Sequence, residues 1–387
     1  MSLTDEKTQR NRLWDLAGGL RGVGAAVGIF ALTRVAQLII LAWLDAADDD
    51  PVGVRDRLLV WDAGWFLRVA VNGYPHGYTF DAAGRMEGNE LAFFPVYPML
   101  IRLVSFLGIP ASTAALVVSW LAAIGAAVAL HLLGTSLYGK RTGWALVAIC
   151  CTAPVSIVFS MAYSEGIFLA LVAGMLVAAH RRVWWAAGLL GVLAALTRPT
   201  GAAAAVALAV AALLAVRESR EKMWQPLTAA AVALAGVPLF LLWVGWRVGD
   251  PTAWFRIQAA GWGTAFDFGS STLTFLGSTL STGDGWVPIS VAFILLAALA
   301  AAGVALAQRP WLPLAVYGVI AMVLVYGQAG FYHSKPRLLV PVLLTLLPAA
   351  IAAGRARPRV AALAITAWGA FGLWYGAYLV TVWPYTL

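Results

Sequence analysis

The sequence predicts an all-α polytopic membrane protein with about eleven transmembrane helices, an internal N-terminus and an external C-terminus. Three observations support this prediction. Of the 387 residues, 61% are hydrophobic and only 11% are charged, whereas a soluble domain carries roughly 25% charged residues. Apolar stretches of about 20 residues, the length that crosses a bilayer, recur along the chain. Basic and acidic residues are concentrated on opposite sides of these stretches.

Eleven apolar stretches are interpreted as spans. The first begins after Arg21 and exceeds the roughly 7 to 15 residues of a signal-peptide core, so we expect it to remain as a membrane anchor. The predicted spans lie near 21–44, 111–136, 143–160, 162–180, 184–198, 200–216, 226–246, 286–307, 311–327, 337–353 and 360–382.

The charge distribution orients these spans. Cytoplasmic connections of membrane proteins collect Lys and Arg. With the N-terminus inside, internal segments hold fifteen of the 26 basic residues and external segments hold thirteen of the 18 acidic residues. The net charge of +8 is thus explained by membrane topology, and the sequence carries no nucleic-acid signal.

The domain organisation is simple, with residues 1–20 as a cytoplasmic tail and residues 21–387 as a single integral membrane domain. Two external loops, 45–110 and 247–285, are long, and long loops are usually functional. The apolar segment 91–108 could suggest a twelfth span. It contains two prolines, however, and counting it would reverse the charge asymmetry. We therefore expect it to form an interfacial helix.

The sequence WDAGWFLRVAVNGY, residues 61–74, places Asp62 between Trp61 and Trp65 just after the first span. Tryptophan favours the membrane interface. A carboxylate held at that depth could accept a proton from an acceptor at the bilayer surface. The alternative is a helix-capping or solvated loop carboxylate.

Charged residues are nearly absent from the centres of the predicted spans, and Arg34 is the exception. An arginine at a helix centre costs roughly 2.5 to 3.5 kcal/mol, so it must face protein or water. It is either a structural partner of polar groups on another helix or a contact for an anionic lipid group. Coupled transporters normally carry carboxylates near the midplane, so the distribution favours chemistry at the outer surface over transport.

Basic residues also lie at predicted outer helix ends, against the general charge distribution. FYHSKPRLLVP contains His333, Lys335 and Arg337, and TRPTG contains Arg198. Arginine offers a planar fork for phosphate oxygens and lysine a point charge. These residues are either ligands for a lipid phosphate or interfacial side chains that extend toward headgroups.

The sequence contains no pattern typical of a disulfide, a metal centre, a nucleotide-binding loop or a serine nucleophile. Cys150 and Cys151 are adjacent in an apolar span, so they are expected to pack as small hydrophobes. The sequence shows no ordered metal-ligand spacing, no glycine-rich phosphate loop in a strand-turn-helix context and no serine nucleophile elbow. No cofactor is predicted.

Several sequence blocks, taken in order, resemble a known family. They are WDAGWFLRVAVNGY, AFFPVYPMLIR, AYSEGIFLAL, TRPTG, GDPTAWFRIQAAGWG and SKPRLLVPVLL. Together they resemble PIG-V-like mannosyltransferases, the bacterial branch related to the second GPI mannosyltransferase within the GT-C glycosyltransferases. The resemblance extends from about residue 30 to about residue 350.

The resemblance implies a GT-C-type helix bundle in a bacterial plasma membrane, with its active site on the extracytoplasmic face. It also implies a polyprenyl-phosphate-mannose donor, a lipid or glycan acceptor and a catalytic acidic residue in the first external loop, the position of Asp62. Lys335 and Arg337 are then the first candidates for the donor phosphate, followed by Arg198, with His333 in the same segment. Such an inverting displacement does not require a divalent metal and does not exclude one.

The same resemblance suggests residues that contact the sugar or the acceptor. Trp61, Trp65 and Tyr74 would shape the sugar pocket or anchor the loop. Glu165 would contact the sugar or orient Arg198. The remaining candidates are Glu90, Gln258 and Trp262.

Three alternatives stay open at the level of sequence. A lipid or glycolipid flippase or transporter could bind a lipid phosphate without reacting. A non-catalytic subunit of an envelope assembly would also be membrane-embedded. Within the enzyme class, a GT-C transferase of another sugar would have the same features, because one sequence does not define sugar stereochemistry.

Overall fold

The chain forms helices joined by short connections, together with one small β hairpin. The computed structural model describes the backbone of residues 3–218 and 223–385, and side chains from residue 19 onward within those ranges. The first helices are α1 Leu3–Ala46, α2 Val54–Arg57, α3 Asp62–Asn72, α4 Val96–Ser105, α5 Ala111–Tyr138, α6 Lys140–Cys151, α7 Glu165–His180, α8 Trp184–Ala195 and α9 Gly201–Glu218. The later helices are α10 Trp224–Val248, α11 Ala253–Trp262, α12 Ser270–Thr282, α13 Trp286–Ala307, α14 Leu312–Gly327, α15 Lys335–Leu339, α16 Leu347–Arg355 and α17 Pro358–Thr381. The hairpin pairs β1 Thr79–Phe80 with β2 Met86–Glu87.

Six of the described helices are long and apolar enough to cross a membrane, namely α1 from Gly19 onward, α5, α9, α10, α13 and α17. The protein is therefore a multi-pass membrane protein, as predicted. The count of eleven spans is not confirmed, because several predicted spans are short or broken. In the stretch 143–160 the twelve-residue helix α6 ends at Cys151, and only one 3₁₀ turn follows. The stretch 337–353 is divided between α15, a 3₁₀ turn and α16, and α1 begins at Leu3, inside the predicted tail.

The break after α6 explains Arg34. Pro154 follows the end of α6, and Val155 adopts a left-handed backbone with φ 68°. Irregular backbone at membrane depth needs replacement hydrogen-bond partners. Arg34 of α1 donates from Nη1 to the Ser156 carbonyl at 2.8 Å and from Nη2 to the Cys151 carbonyl. These contacts favour the structural interpretation of Arg34 over contact with a lipid group.

The first long loop contains α2, α3, the hairpin and α4. Helix α4 has ten residues, too few to cross a bilayer. It buries Tyr97 and Ile101 and exposes Leu103 and Phe106. This amphipathic helix matches the expectation that residues 91–108 do not form a twelfth span.

The two long loops lie together at one end of the bundle, called the loop end below. Gly88 and Gly261 allow this contact, since a Cβ on Gly88 would lie 2.6 Å from the Gly261 Cα. Arg247 donates to the carbonyls of Tyr74 and Pro75 at 2.6 and 2.7 Å. Segments that are far apart in the chain therefore form one surface around the candidate site.

Candidate active site

A cavity of about 210 Å³ opens at the loop end. Residues from α3, the segment before α4, the start of α7, the α8–α9 turn, α11 and the segment 328–338 line it. The polar members of the lining are Asp62, Ser164, Glu165, Thr197, Arg198, Gln258, Thr264, Gln328, Ser334, Lys335 and Arg337. The cavity thus combines carboxylates and cations from segments that are distant in sequence.

Asp62 is the first residue of α3. Trp61, which precedes it, has φ 56° and ψ −113°, a rare conformation for a bulky residue. This sharp turn lets Ala63 and Phe66 pack inward while the Asp62 side chain stays 23% exposed at the cavity. The Asp62 backbone N–H donates to the Tyr163 hydroxyl at 3.4 Å. Strained backbone often accompanies functional sites.

Asp62 belongs to a chain of four alternating charges. Arg337 donates from Nη1 to Asp62 Oδ2 at 2.6 Å, and its Nε lies 3.4 Å from Glu165 Oε1. The same Glu165 oxygen lies 2.7 Å from Arg198 Nη1. Glu165 is 1% exposed and Arg337 is 8% exposed. Separation from water strengthens electrostatic interactions within this group.

Some polar atoms of these four charged residues have no hydrogen-bond partner among the described residues. Glu165 Oε2, Arg337 Nε and Arg198 Nη1 have no hydrogen-bond partner of good geometry among the described residues. Unpaired buried polar atoms are costly, on the order of 1 to 3 kcal/mol each. Since Glu165, Arg198 and Arg337 all line the cavity, a polar ligand there would find donors and acceptors already oriented.

Lys335 also lines the cavity. It is 3% exposed and donates from Nζ to the Val325 and Gln328 carbonyls at 2.8 and 2.6 Å. Burial lowers the pKa of Lys335 to about 8, although the Asp267 charge opposes this shift. An ammonium has three donors, so one remains for a ligand when Lys335 is protonated.

His333 differs from the other basic candidates. It does not line the cavity, and its ring packs against Phe331 and Tyr385 at centroid distances of 5.3 and 6.2 Å. Burial, together with the nearby Arg337 charge, lowers its pKa to about 4. His333 is therefore neutral near pH 7 and does not supply the positive charge expected of a phosphate ligand.

Aromatic residues also line the cavity. Trp262 and Phe93 line it, with ring centroids 5.4 Å apart. Trp65 packs against both rings. It stacks on Phe93 and contacts Trp262 in an edge-on arrangement. Gln258 also lines the cavity, and its amide donates to the Ala92 carbonyl at 3.1 Å.

Three further predicted residues lie outside the cavity lining. Trp61 provides the turn before α3. Tyr74 donates its hydroxyl to the Phe93 carbonyl at 2.8 Å, which positions a wall residue. Glu90 accepts from Arg68 at 2.8 Å in an exposed ion pair. None of the three is placed to contact a ligand directly.

The structure also adds polar residues that the sequence did not single out. Ser164 and Thr197 are direct neighbours of Glu165 and Arg198, so their sequence blocks contained a signal for them. Thr264 and Gln328 come together because Phe266 and Gln328 form an antiparallel bridge. No short-range pattern marks that pairing. No group of three or more His, Cys, Asp or Glu side chains able to hold a metal occurs within the described ranges.

Comparison with known proteins supports the family resemblance that the sequence blocks indicate. No family model matches the chain. The chain is similar to GPI mannosyltransferases 2. GPI alpha-1,6-mannosyltransferase 2 of Mus musculus is 31% identical over 172 residues, covering 42% of this chain and 33% of the relative. The Rattus norvegicus protein of that name is 32% identical over 152 residues, with 36% and 29% coverage. GPI mannosyltransferase 2 of Drosophila pseudoobscura pseudoobscura is 34% identical over 119 residues, with 28% and 24% coverage.

The predicted resemblance is therefore confirmed, and the matches span a third or less of each relative's length. Among solved structures, the Archaeoglobus fulgidus oligosaccharyltransferase in complex with Zn and sulfate aligns with a TM-score of 0.46 and 15% identity over 90% of this chain and 53% of that chain. The oligosaccharyltransferase AglB of the same organism, in complex with an inhibitory peptide and a dolichol-phosphate, aligns at 0.43 and 14% over 90% and 56%.

Proposed function

We propose that this protein is a GT-C-type glycosyltransferase that moves mannose from a polyprenyl-phosphate-mannose donor to a hydroxyl of a lipid or glycan acceptor. The similarity to mannosyltransferases supports the choice of sugar. The observation that carries the proposal is the cavity in which Asp62 lies beside Arg337, Glu165, Arg198 and Lys335. The reaction would occur on the extracytoplasmic face of a bacterial plasma membrane.

The proposed chemistry is a single inverting displacement. The acceptor oxygen attacks the anomeric carbon of mannose, and the bond from that carbon to the phosphate oxygen breaks. The polyprenyl phosphate leaves with the bonding electron pair. Asp62 accepts the proton of the attacking hydroxyl, so one general base suffices. The cations stabilise the charge that grows on the departing phosphate.

The contacts refine the roles of the three cations. Arg337 is engaged by Asp62 and Glu165, so we assign it to holding the base in place. Arg198 contacts one carboxylate, Glu165, whereas Arg337 contacts two, and Lys335 keeps one ammonium donor beyond the two carbonyls that it binds. We assign these two residues to the donor phosphate, which reverses the sequence-based order of Arg337 and Arg198.

The volume of the cavity is consistent with these assigned roles. About 210 Å³ is less than the roughly 300 to 1,000 Å³ typical of pockets for drug-sized ligands. The cavity would hold one sugar ring and the phosphate, while the polyprenyl chain stays in the membrane. Trp262 and Phe93 would cover the apolar face of the sugar, as aromatic rings do at binding surfaces.

The decisive experiment is Asp62→Asn in the full-length protein, reconstituted with lipid-linked mannose and envelope extract as acceptor. Removing a general base lowers rates by roughly 10²- to 10⁴-fold, so we expect a loss of transfer in that range at unchanged donor binding. Asp56→Asn is the matched control, because its side chain is 64% exposed in the same loop and does not line the cavity. It should retain wild-type transfer.

Three outcomes would each contradict a part of the proposal. Near wild-type transfer by Asp62→Asn would remove the base assignment. If the wild-type protein moves labelled lipid between leaflets but forms no glycosidic product, the protein is a flippase. If another lipid-linked sugar is transferred and mannose is not, the chemistry stands and the choice of sugar fails.

A further inference from the structure

A second concave site lies at the end of the bundle opposite the candidate active site. It has a volume of about 560 Å³ and lies between the α5–α6 turn and the end of α16. Lys140, Arg141 and Arg355 supply three cations to its lining, with Tyr138 and Thr142 between them. Its basic lining suggests an anionic ligand.

Helix α5 fixes the position of this basic pocket relative to the cavity. Ser119 of α5 donates to the Tyr163 carbonyl, close to Asp62. Tyr138 ends the same helix 19 residues later, about 28 Å away at 1.5 Å per residue. That distance is close to the thickness of the hydrocarbon core. The basic pocket therefore lies near the opposite membrane face, which the predicted topology makes cytoplasmic.

The three cations of the basic pocket have no acidic partner among the described residues. Lys140, Arg141 and Arg355 are all exposed and form no ion pair there. Arg182, on another turn at the same end, pairs with Glu218. The basic pocket thus holds concentrated positive charge that the described part of the protein does not neutralise.

Helix polarity adds to this charge. Lys140 and Arg141 occupy the first turn of α6, which begins after Gly139 without a side-chain cap. Cations are disfavoured at the positive end of a helix, and anions are favoured there. Two buried polar groups complete the lining: Thr142 is 4% exposed, and the Tyr138 hydroxyl has no hydrogen-bond partner among the described residues. An anion that accepts hydrogen bonds would suit the start of α6 and the Tyr138 hydroxyl.

The depth of the basic pocket in the membrane favours a lipid as its ligand. The pocket lies where the hydrocarbon core ends, so a headgroup phosphate can reach it while the acyl chains of the same lipid stay in the bilayer. A free phosphate would use the same pocket without any contribution from the bilayer.

We propose that the basic pocket binds the headgroup of one anionic phospholipid, with its phosphate at Lys140, Arg141 and Arg355 and its acyl chains in the surrounding bilayer. Basic pockets between transmembrane helices on the cytoplasmic side are suited to anionic headgroups, at about 1 kcal/mol per cation. This site is independent of the proposed transferase reaction, because it lies about 28 Å away along α5.

The test measures retention of phosphatidylglycerol by the detergent-purified full chain in native mass spectrometry, with phosphatidylcholine as the comparison lipid. The triple variant Lys140→Gln, Arg141→Gln, Arg355→Gln should retain phosphatidylglycerol at least about tenfold more weakly than wild type, given about 1 kcal/mol for each cation removed. The matched triple variant Arg181→Gln, Arg182→Gln, Arg309→Gln removes the same charge at the same end, outside the pocket. It should retain phosphatidylglycerol like wild type.

The proposal fails if both triple variants lose phosphatidylglycerol equally, because the attraction would then reflect overall charge. It also fails if phosphatidylcholine is retained as well as phosphatidylglycerol. Displacement of the lipid by millimolar inorganic phosphate would show a free-phosphate site. Tyr138→Phe provides a milder variant that keeps the fold, and a weakening of about threefold would support the hydrogen bond to its hydroxyl.

Discussion

Arg34 and Arg337 are both buried arginines, but their surroundings differ. Arg34 is 1% exposed and donates to the carbonyls of Ser156 and Cys151, without an ion pair to any described residue. Arg337 is 8% exposed, contacts the carboxylates of Asp62 and Glu165, and borders a cavity. One arginine completes the hydrogen bonding of a broken helix, and the other joins a network of charges at the wall of a cavity.

This difference teaches that a buried charge is not in itself a functional site. Arg34 replaces the hydrogen bonds lost where α6 ends, and although its Nε has no hydrogen-bond partner among the described residues, it does not line the candidate cavity. The network around Arg337 leaves Glu165 Oε2 unpaired next to open space. A site needs unused bonding capacity together with room for a ligand, and only the Arg337 surroundings provide both.

Glu165→Gln gives the largest expected effect on this comparison. Gln keeps the shape but removes the charge that lies between Arg198 and Arg337. Removing one partner of a buried ion pair costs roughly 3 to 5 kcal/mol. We therefore expect a matching loss in the free energy of unfolding, measured by SDS titration in mixed micelles, and a raised KM for the lipid donor.

Glu90→Gln is the matched control, because Glu90 pairs with Arg68 at the surface, where the two side chains are 20% and 47% exposed. Surface pairs contribute about 0 to 1 kcal/mol, so this variant should differ little from wild type. Equal effects of the two substitutions would show that the buried network has no special role.

The sequence predicted much of the charge network. Asp62, Arg198 and Arg337 were candidates because charged residues at the ends of apolar stretches are rare and conspicuous, and Glu165 was a candidate because of the family resemblance. Their pairing was not predictable beyond Glu165 and Arg198. Asp62 and Arg337 are 275 positions apart, and no local pattern specifies which side chains meet across a bundle.

The fold shows the same limit. Apolar stretches located the helices, but hydropathy does not reveal a broken backbone. The stretches 143–160 and 337–353 are as apolar as continuous spans, yet tertiary partners such as Arg34 allow the helix after Lys140 to end at Cys151. The sequence also does not display burial, which lowers the pKa of His333 to about 4.

Arg34→Met tests the structural role of Arg34. Its effect on stability should be smaller than that of Glu165→Gln. The two carbonyls that accept from Arg34 would lose their donor, at about 1 to 2 kcal/mol each. We expect the free energy of unfolding to fall by roughly 2 to 4 kcal/mol, while the folded fraction keeps the wild-type KM for donor. Arg34→Lys keeps a donor and should recover part of the stability. A raised donor KM with unchanged stability would instead place Arg34 in a ligand site.

Lys335 gives the smallest expected effect and a dependence on pH. Burial lowers its pKa from 10.5 to about 8. Above pH 8 the neutral amine keeps two donors, which the Val325 and Gln328 carbonyls already occupy. A bound phosphate would lose its charged hydrogen bond, worth at least about 1.5 kcal/mol. The KM for donor should therefore rise about tenfold between pH 7 and pH 9.5.

As pH rises, the stability of the protein should increase while its affinity for the donor falls. A Lys335 that has no contact with the donor would produce only the increase in stability. Between about pH 8 and 10.5 the folded protein binds fewer protons at Lys335 than the unfolded chain does. The free energy of unfolding should therefore rise with pH in this window as donor affinity falls. Lys335→Gln should remove both trends, and Lys335→Arg, which stays charged, should keep a low KM at high pH. A wild-type KM that stays constant up to pH 9.5 would leave Arg198 as the remaining phosphate ligand.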